Sequence, residues 1–276
     1  MSTPDPAKTP QQYEAEGMLL VDLPGSRFDH HIETHDKKTE CASTLVAKYL
    51  GIINNPELKK VLMFAKRDDL EGKGTISIDP LDRAFGLPGI IMSMNRVHVN
   101  HPNAILDLVI SIYEAHVYEE YKRTVEMPQE WKELKAQGIA KEVVVPAMQG
   151  PMLLVYLTSD NTSLPGFIRA YRKADVVVQR RISGHTNILT RQDKDYRLDL
   201  RPIISRIRVA EAKAGSVTLA ADTVLDKPGK VDGVPEWYYD TAANTLQNGG
   251  VNPQGVPATK LSLEEIARLV QEGMRE

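Results

Sequence analysis

An apolar run that ends on an acid constrains this chain more than any other feature. Met18 to Val21 leads into Asp22, then a Pro24-Gly25 turn, then Asp29-His30-His31. A helix comes next, with Ala42, Leu45, Val46, Tyr49 and Leu50 on one face. Apolar residues spaced i, i+3, i+4, i+7 and i+8 mark the helical period. The pattern predicts a short buried strand, a turn and a returning helix, which is half of an α/β unit. Ligands of open α/β sheets bind beyond the carboxyl ends of the strands. Asp22 and the histidine pair are therefore the first candidate site.

Downstream, Asn55-Pro56 supplies a helix start, with proline at the first helical position. The helix it predicts carries Leu58, Val61, Leu62 and Phe64 to Arg67-Asp68-Asp69, before Gly72 and Gly74 break it. A long helix is expected from Asn103, and a short connecting helix from Pro128 to Gly138. A second unit begins near Glu142. Val143–Val145, Met152–Leu157, Val176–Gln179 and Thr186–Thr190 read as strands and Leu164–Lys173 as a helix. Another helix is expected over 198–213. The expected division is an α/β domain over 1–125, a helical connector over 126–141, a smaller α/β domain over 142–212, and a C-terminal tail over 213–276. Ser262 and Glu265 cap a last helix in that tail. Trp237, Tyr238 and Tyr239 either dock it onto its own domain, the favoured reading, or stack on bases as aromatics do in single-strand binders.

Net charge is −3, so no global basic field recruits nucleic acid and any such binding must be local. Residues 151–191 are the local exception, with six cationic side chains against Asp160 and Asp175. Within that segment Arg180, Arg181, Gly184 and His185 form a turn between strands. Glycine lets a backbone approach a phosphate and arginine grips it bidentately, so these four are the substrate-binding candidates. The single cysteine, Cys41, excludes an intramolecular disulfide and fits a reducing cytoplasm. No stretch of about 18 apolar residues predicts a membrane span. The first residues lack the apolar core of a signal peptide and read as a loop or flexible arm.

The strand-end Asp22, the Asp29-His30-His31 triplet and the helix start Ala42-Ser43-Thr44 resemble the DHH phosphoesterase superfamily. The form FDHH after VDLPG is most similar to its metal-dependent exonuclease branch, represented in eukaryotes by the melanocyte-proliferating-gene product. The resemblance implies a DHH-type parallel-sheet domain followed by a smaller α/β substrate-binding domain. It implies that Asp22, His30 and Asp68 hold Mn2+ or Mg2+, with Asp69 the other choice for the helix-end acid. His31 would face the substrate phosphate, and Asp29 would orient the loop or a histidine. Ser183-Gly184-His185 resembles the family's glycine-and-histidine substrate loop, with one glycine in place of several.

The family's opening strand, and the His- and Asp-containing loop after it, have no counterpart before residue 18. One metal position would then keep its ligands, and the other would keep Asp22 alone. Two classes of function stay open. The first is a metal-dependent phosphodiesterase or exonuclease acting on single-stranded nucleic acid or short oligonucleotides. The second is a catalytically weakened relative that binds nucleic acid or nucleotide, or serves as a subunit in a homo-oligomer or with a partner chain.

Overall fold

The computed structural model describes residues 5, 7–31, 39–148, 150–192, 197–250 and 252–276. The fold is mixed α/β. The chain divides into two compact units, Met1–Glu126 and Met127–Glu276.

Unit 1 is helical in its described residues. Its first element corrects the expected N-terminal loop. Helix α1 spans Pro10–Ala15, started by a capping box in which Thr9 and Gln12 each satisfy the other's backbone N–H. Pro10 occupies the first turn, where its missing N–H costs nothing. Residues 1–4 and 6 of the expected arm lie outside the described residues.

The expected buried strand over Met18–Val21 does not form. Val21 makes only an isolated parallel bridge to Phe28, and Met18, Leu19 and Val21 are each nearly half exposed. A strand needs a neighbour along its length to pair its backbone groups. Among the described residues, Phe28 alone bridges to this run. Helix α2 (Ala42–Tyr49) packs nearby, with Leu45 and Ala47 buried and Tyr49 edge-on to buried Phe28 at 5.4 Å.

Helix α3 (Lys59–Glu71) stops at Gly72, which adopts φ 62° to turn the chain back. Helices α4 (Pro80–Phe85), α5 (Leu87–Val97) and α6 (Pro102–Tyr121) complete the unit with a π-helical turn over Lys122–Glu126. Buried Glu120 ties α6 to α3's first turn through Lys60, at 2.8 Å, and also pairs with Arg123 at 2.7 Å. Burial raises the Glu120 carboxyl, but the two cations outweigh it and hold the group below its ordinary range.

Unit 2 is built on one seven-stranded sheet. After helix α7 (Met127–Ala136), strands β1 (Lys141–Ala147) and β2 (Gly150–Thr158) form a hairpin. Helix α8 (Leu164–Tyr171) then crosses over to β3 (Val176–Arg180), which lies parallel to β2. All other pairings of the sheet are antiparallel, in the order β1-β2-β3-β4-β7-β6-β5. Strand β4 spans Thr186–Thr190, β5 Gly229–Val231, β6 Val234–Asp240 and β7 Thr245–Gln247.

The region expected as a tail is thus part of the sheet. Trp237 and Tyr239 are buried β6 residues, while Tyr238 on the opposite face is exposed. Alternation along β3 sends Val176 and Val178 to a core with Ile203, Ile207 and Ile266, and Val177 to a core with Trp131, Phe167 and Ile168. Helices α9 (Arg201–Ala214) and α10 (Leu263–Gly273) cover the first face and α7 and α8 the second. The two outer helices meet closely at Gly273, where an added Cβ would lie 2.6 Å from the Ile203 side chain.

Two buried charges on α9 hold the later strands. Arg208 is fully buried and donates to the carbonyls of Leu225, Lys227, Gly229 and Trp237. Burial, offset only in part by the Asp226 carboxylate, pulls its guanidinium down to about 10. One turn on, Glu211 accepts from the Trp237 indole N–H, the Thr259 hydroxyl and the Lys260 backbone.

Candidate metal centre

The site in unit 1 is made by the loop between α1 and α2 and by the end of α3. The loop folds on itself because its turn residues allow it. Gly25 takes φ 74°, the Ser26 N–H donates to the Leu23 carbonyl, and Phe28 is buried as an anchor. Asp29 holds the turn together from both sides. Its Oδ2 accepts from the Gly25 N–H and its Oδ1 from the His31 N–H, both at 2.9 Å. These two backbone bonds lower the Asp29 carboxyl pKa, with a smaller contribution from the adjacent histidines.

This geometry brings Asp22, His30 and His31 together. Each offers one donor atom, and the three atoms lie within 4.8 Å of one another. Asp22 sits at φ 58°, a left-handed conformation that aspartate tolerates better than most side chains. The two imidazole rings are 3.8 Å apart between centroids, tilted by 41°.

His30 is the buried member, with its side chain only 5% exposed. Its Nδ1 lies 3.2 Å from Asp22 Oδ1, and its Nε2 lies 3.1 Å from Asp69 Oδ2. Nδ1 is nevertheless a buried polar atom with no properly aligned hydrogen bond. With its proton on Nε2, facing Asp69, the ring would present an imidazole lone pair on Nδ1 beside a carboxylate oxygen. Two acceptors at that separation repel unless a positive centre lies near both.

A divalent cation fits the arrangement. An octahedral ion with ligands at about 2.1 Å places neighbouring donors roughly 3.0 Å apart. The 3.2 Å edge between His30 and Asp22 is close to that. A carboxylate on the far nitrogen of a ligating histidine is the usual outer partner, fixing the tautomer and ring orientation. The imidazole and carboxylate donors suit manganese; for magnesium, the oxygen donors would have to dominate.

Of the two helix-end acids, Asp68 and Asp69, it is Asp69 that meets the loop, through His30 Nε2. Adjacent residues on an α-helix point about 100° apart, so only one can face the loop. Asp68 turns toward Gly74, where an added Cβ would meet its Oδ1 at 2.5 Å. Its charge also raises the Tyr113 hydroxyl pKa, after the larger effect of burial. His31, expected to face a substrate phosphate, is the exposed histidine of the three grouped donors.

In unit 2 the predicted substrate loop is a tight turn. The Arg181 N–H donates to the His185 carbonyl at 2.8 Å, and Gly184 adopts φ 86°. Arg180 Nη1 donates to the Leu261 carbonyl at 2.7 Å. His185 Nε2 pairs with the Val256 carbonyl at 2.8 Å, and its Nδ1 with the Ser183 hydroxyl at 3.0 Å. The Arg180 and His185 side chains are thus engaged by the segment leading into α10. Arg181 lines a separate cavity on the α8 face, together with Asn187 and Gln247. Those two amides escape a sequence reading because they belong to no motif.

Among the described residues, no helix is long and apolar enough to cross a membrane. The chain matches no protein-family model, no curated protein and no solved structure.

Proposed function

We propose that Asp22, His30 and His31 hold one divalent cation, manganese or magnesium, and that the protein is a metal-dependent phosphoesterase of the DHH type. The substrate class proposed is single-stranded nucleic acid or short oligonucleotides. One observation carries the reading: the buried Nδ1 of His30, without an aligned hydrogen bond, set 3.2 Å from Asp22 Oδ1. A bound cation would polarise a phosphoryl oxygen and lower the pKa of a water molecule. The chain's own residues supply the rest. Asp69 keeps the His30 proton on Nε2, so that Nδ1 faces Asp22. Asp29 locks the loop by holding two backbone N–H groups, and His31 stands at the exposed rim, where a substrate phosphate would approach. The resemblance of VDLPGSRFDHH to the DHH signature supports the same chemistry.

The experiment is hydrolysis of a short 5′-labelled oligonucleotide with manganese, with magnesium and with chelator. Mononucleotide release that needs metal and disappears in Asp22→Asn supports the proposal. No release with either metal overturns the enzymatic part of it.

A second reading is a weakened relative that binds nucleotide without turning it over. It is favoured by the finding that, among the described residues, Asp22, His30 and His31 are the only group of three such donors. Phosphoryl transfer assisted by two metals needs donors for both ions.

A further inference from the structure

Unit 1 leaves an apolar face uncovered. No residue of α3, α4 or α5 is buried. Within residues 76–99, Ile76, Ile78, Leu81, Phe85, Val97 and Val99 are each about two-thirds exposed or more, and Ile78 almost completely. Elsewhere among the described residues only Met148 and Ile182 reach that level. Scattered exposed apolar side chains are ordinary, whereas a concentration of them marks an interaction surface.

The two helices of this segment present their apolar side chains in stripes and hold them firmly. Leu81 and Phe85 are one turn apart on α4, and Ile90 and Val97 are two turns apart on α5. Gly86 alone separates the two helices. A Cβ added at Gly89 would lie 2.2 Å from the Arg83 carbonyl oxygen, so α5 starts directly against the end of α4. A face preformed in this way costs little ordering when it docks.

Area and charge say what would cover it. Large apolar side chains offer on the order of 150 Å2 each, so the six residues expose roughly 700 Å2 between them. A standard interface takes about 800 Å2 from each partner, part of it polar rim. The segment also carries Asp79, Asp82, Arg83 and Arg96, two charges of each sign. None of the four makes an ion pair with a described residue. Asp79 accepts from the Leu81 N–H, Asp82 accepts from the Ser77 hydroxyl, and Arg96 reaches the Met92 sulfur. An anionic lipid surface recruits an excess of lysine and arginine, which this segment lacks. A second copy brings an equal apolar area and both signs of charge, because in a two-fold contact residue i meets j and j meets i.

We propose that residues 76–99 of unit 1 form the contact of a two-fold symmetric homodimer, with Leu81 and Phe85 near the axis and Asp82 of one protomer facing the partner's Arg83. This goes beyond the metal reading and does not depend on it.

Sedimentation velocity of the full chain, in chelator and across the micromolar range, tests the proposal. A species of twice the chain mass is expected. Phe85→Asp should weaken dimerisation by about tenfold or more, as for a central apolar anchor. Arg83→Asp should weaken it as well, and adding Asp82→Arg to the same chain should restore it, which a general loss of stability would not do. Both Phe85 and Arg83 are exposed, so neither replacement removes a core contact, and circular dichroism checks each fold. A chain that stays monomeric, assembles past the dimer, or dimerises equally well with folded Phe85→Asp would overturn the proposal. So would failure of Asp82→Arg to rescue Arg83→Asp. Monomers that pellet with anionic phospholipid vesicles would also overturn it, giving the face to a membrane. If Phe85→Asp fails to fold, the Arg83 and Asp82 exchange reads the same contact. Chelator keeps failure here separate from failure of the metal reading.

Discussion

His30 Nδ1 lies 3.2 Å from Asp22 Oδ1, buried and without an aligned hydrogen bond, while the opposite face of the ring meets Asp69 at 3.1 Å. The ring is thus held between two carboxylates from different elements, one on a loop and one on a helix. That placement leaves one imidazole nitrogen to serve as a ligand, and it makes the two carboxylates unequal in role.

Asp69 is predicted to act through His30. Asp69→Asn should lower manganese affinity by roughly 10–100-fold, the usual effect of removing an outer partner of a ligating histidine. Asp68→Asn should leave affinity unchanged, because Asp68 faces Gly74. Manganese binding followed by electron paramagnetic resonance reads both. The reverse ranking would return the helix-end role to Asp68.

The loop should resist acid through Asp29. Its carboxyl pKa is lowered in the fold, chiefly by the Gly25 and His31 backbone bonds. A lowered pKa means that the folded state favours the charged form. The stabilisation is therefore complete above the ordinary carboxylate value of about 3.9 and is lost as pH falls through the lower folded value. The Gly25 and His31 amide resonances should hold their positions down to about pH 4 and shift together below it. In Asp29→Asn the acid-dependent shift should be absent. A shift centred at or above the ordinary carboxylate value would contradict the assignment.

Unit 2 should depend strongly on Arg208. Replacing it with methionine leaves the Leu225, Lys227, Gly229 and Trp237 carbonyls without their guanidinium donor. Loss of a buried charged donor serving several acceptors predicts destabilisation of about 3–5 kcal/mol in urea unfolding. A loss below about 1 kcal/mol would mean that solvent reaches those carbonyls without cost.

The limits of the sequence reading have physical causes. In unit 2 the strands at 143–145, 152–157, 176–179 and 186–190 were legible because their apolar residues are continuous or alternate. Strands β5 and β7 were not legible, since each is three residues long and is specified by its neighbours in the sheet. The Met18–Val21 run looked like a strand because apolarity is a local property, whereas pairing is not. Asp22, Asp29 and the histidines announced themselves through their spacing. The choice between Asp68 and Asp69 was hidden. Val61, Phe64 and Asp68 lie on one stripe of α3, and Leu62, Ala65 and Asp69 lie on the next. Both stripes are apolar, so periodicity could not say which one meets the loop.

The central claim is that Asp22 and His30 together hold one cation. Calorimetric titration of the full chain with manganese tests it most directly, alongside Asp22→Asn and His30→Gln, with each variant's fold checked by circular dichroism. The account predicts one site per chain, lost in both variants while the fold is retained. Manganese binding that is unchanged in both folded variants, or absent from the unaltered chain, would contradict it.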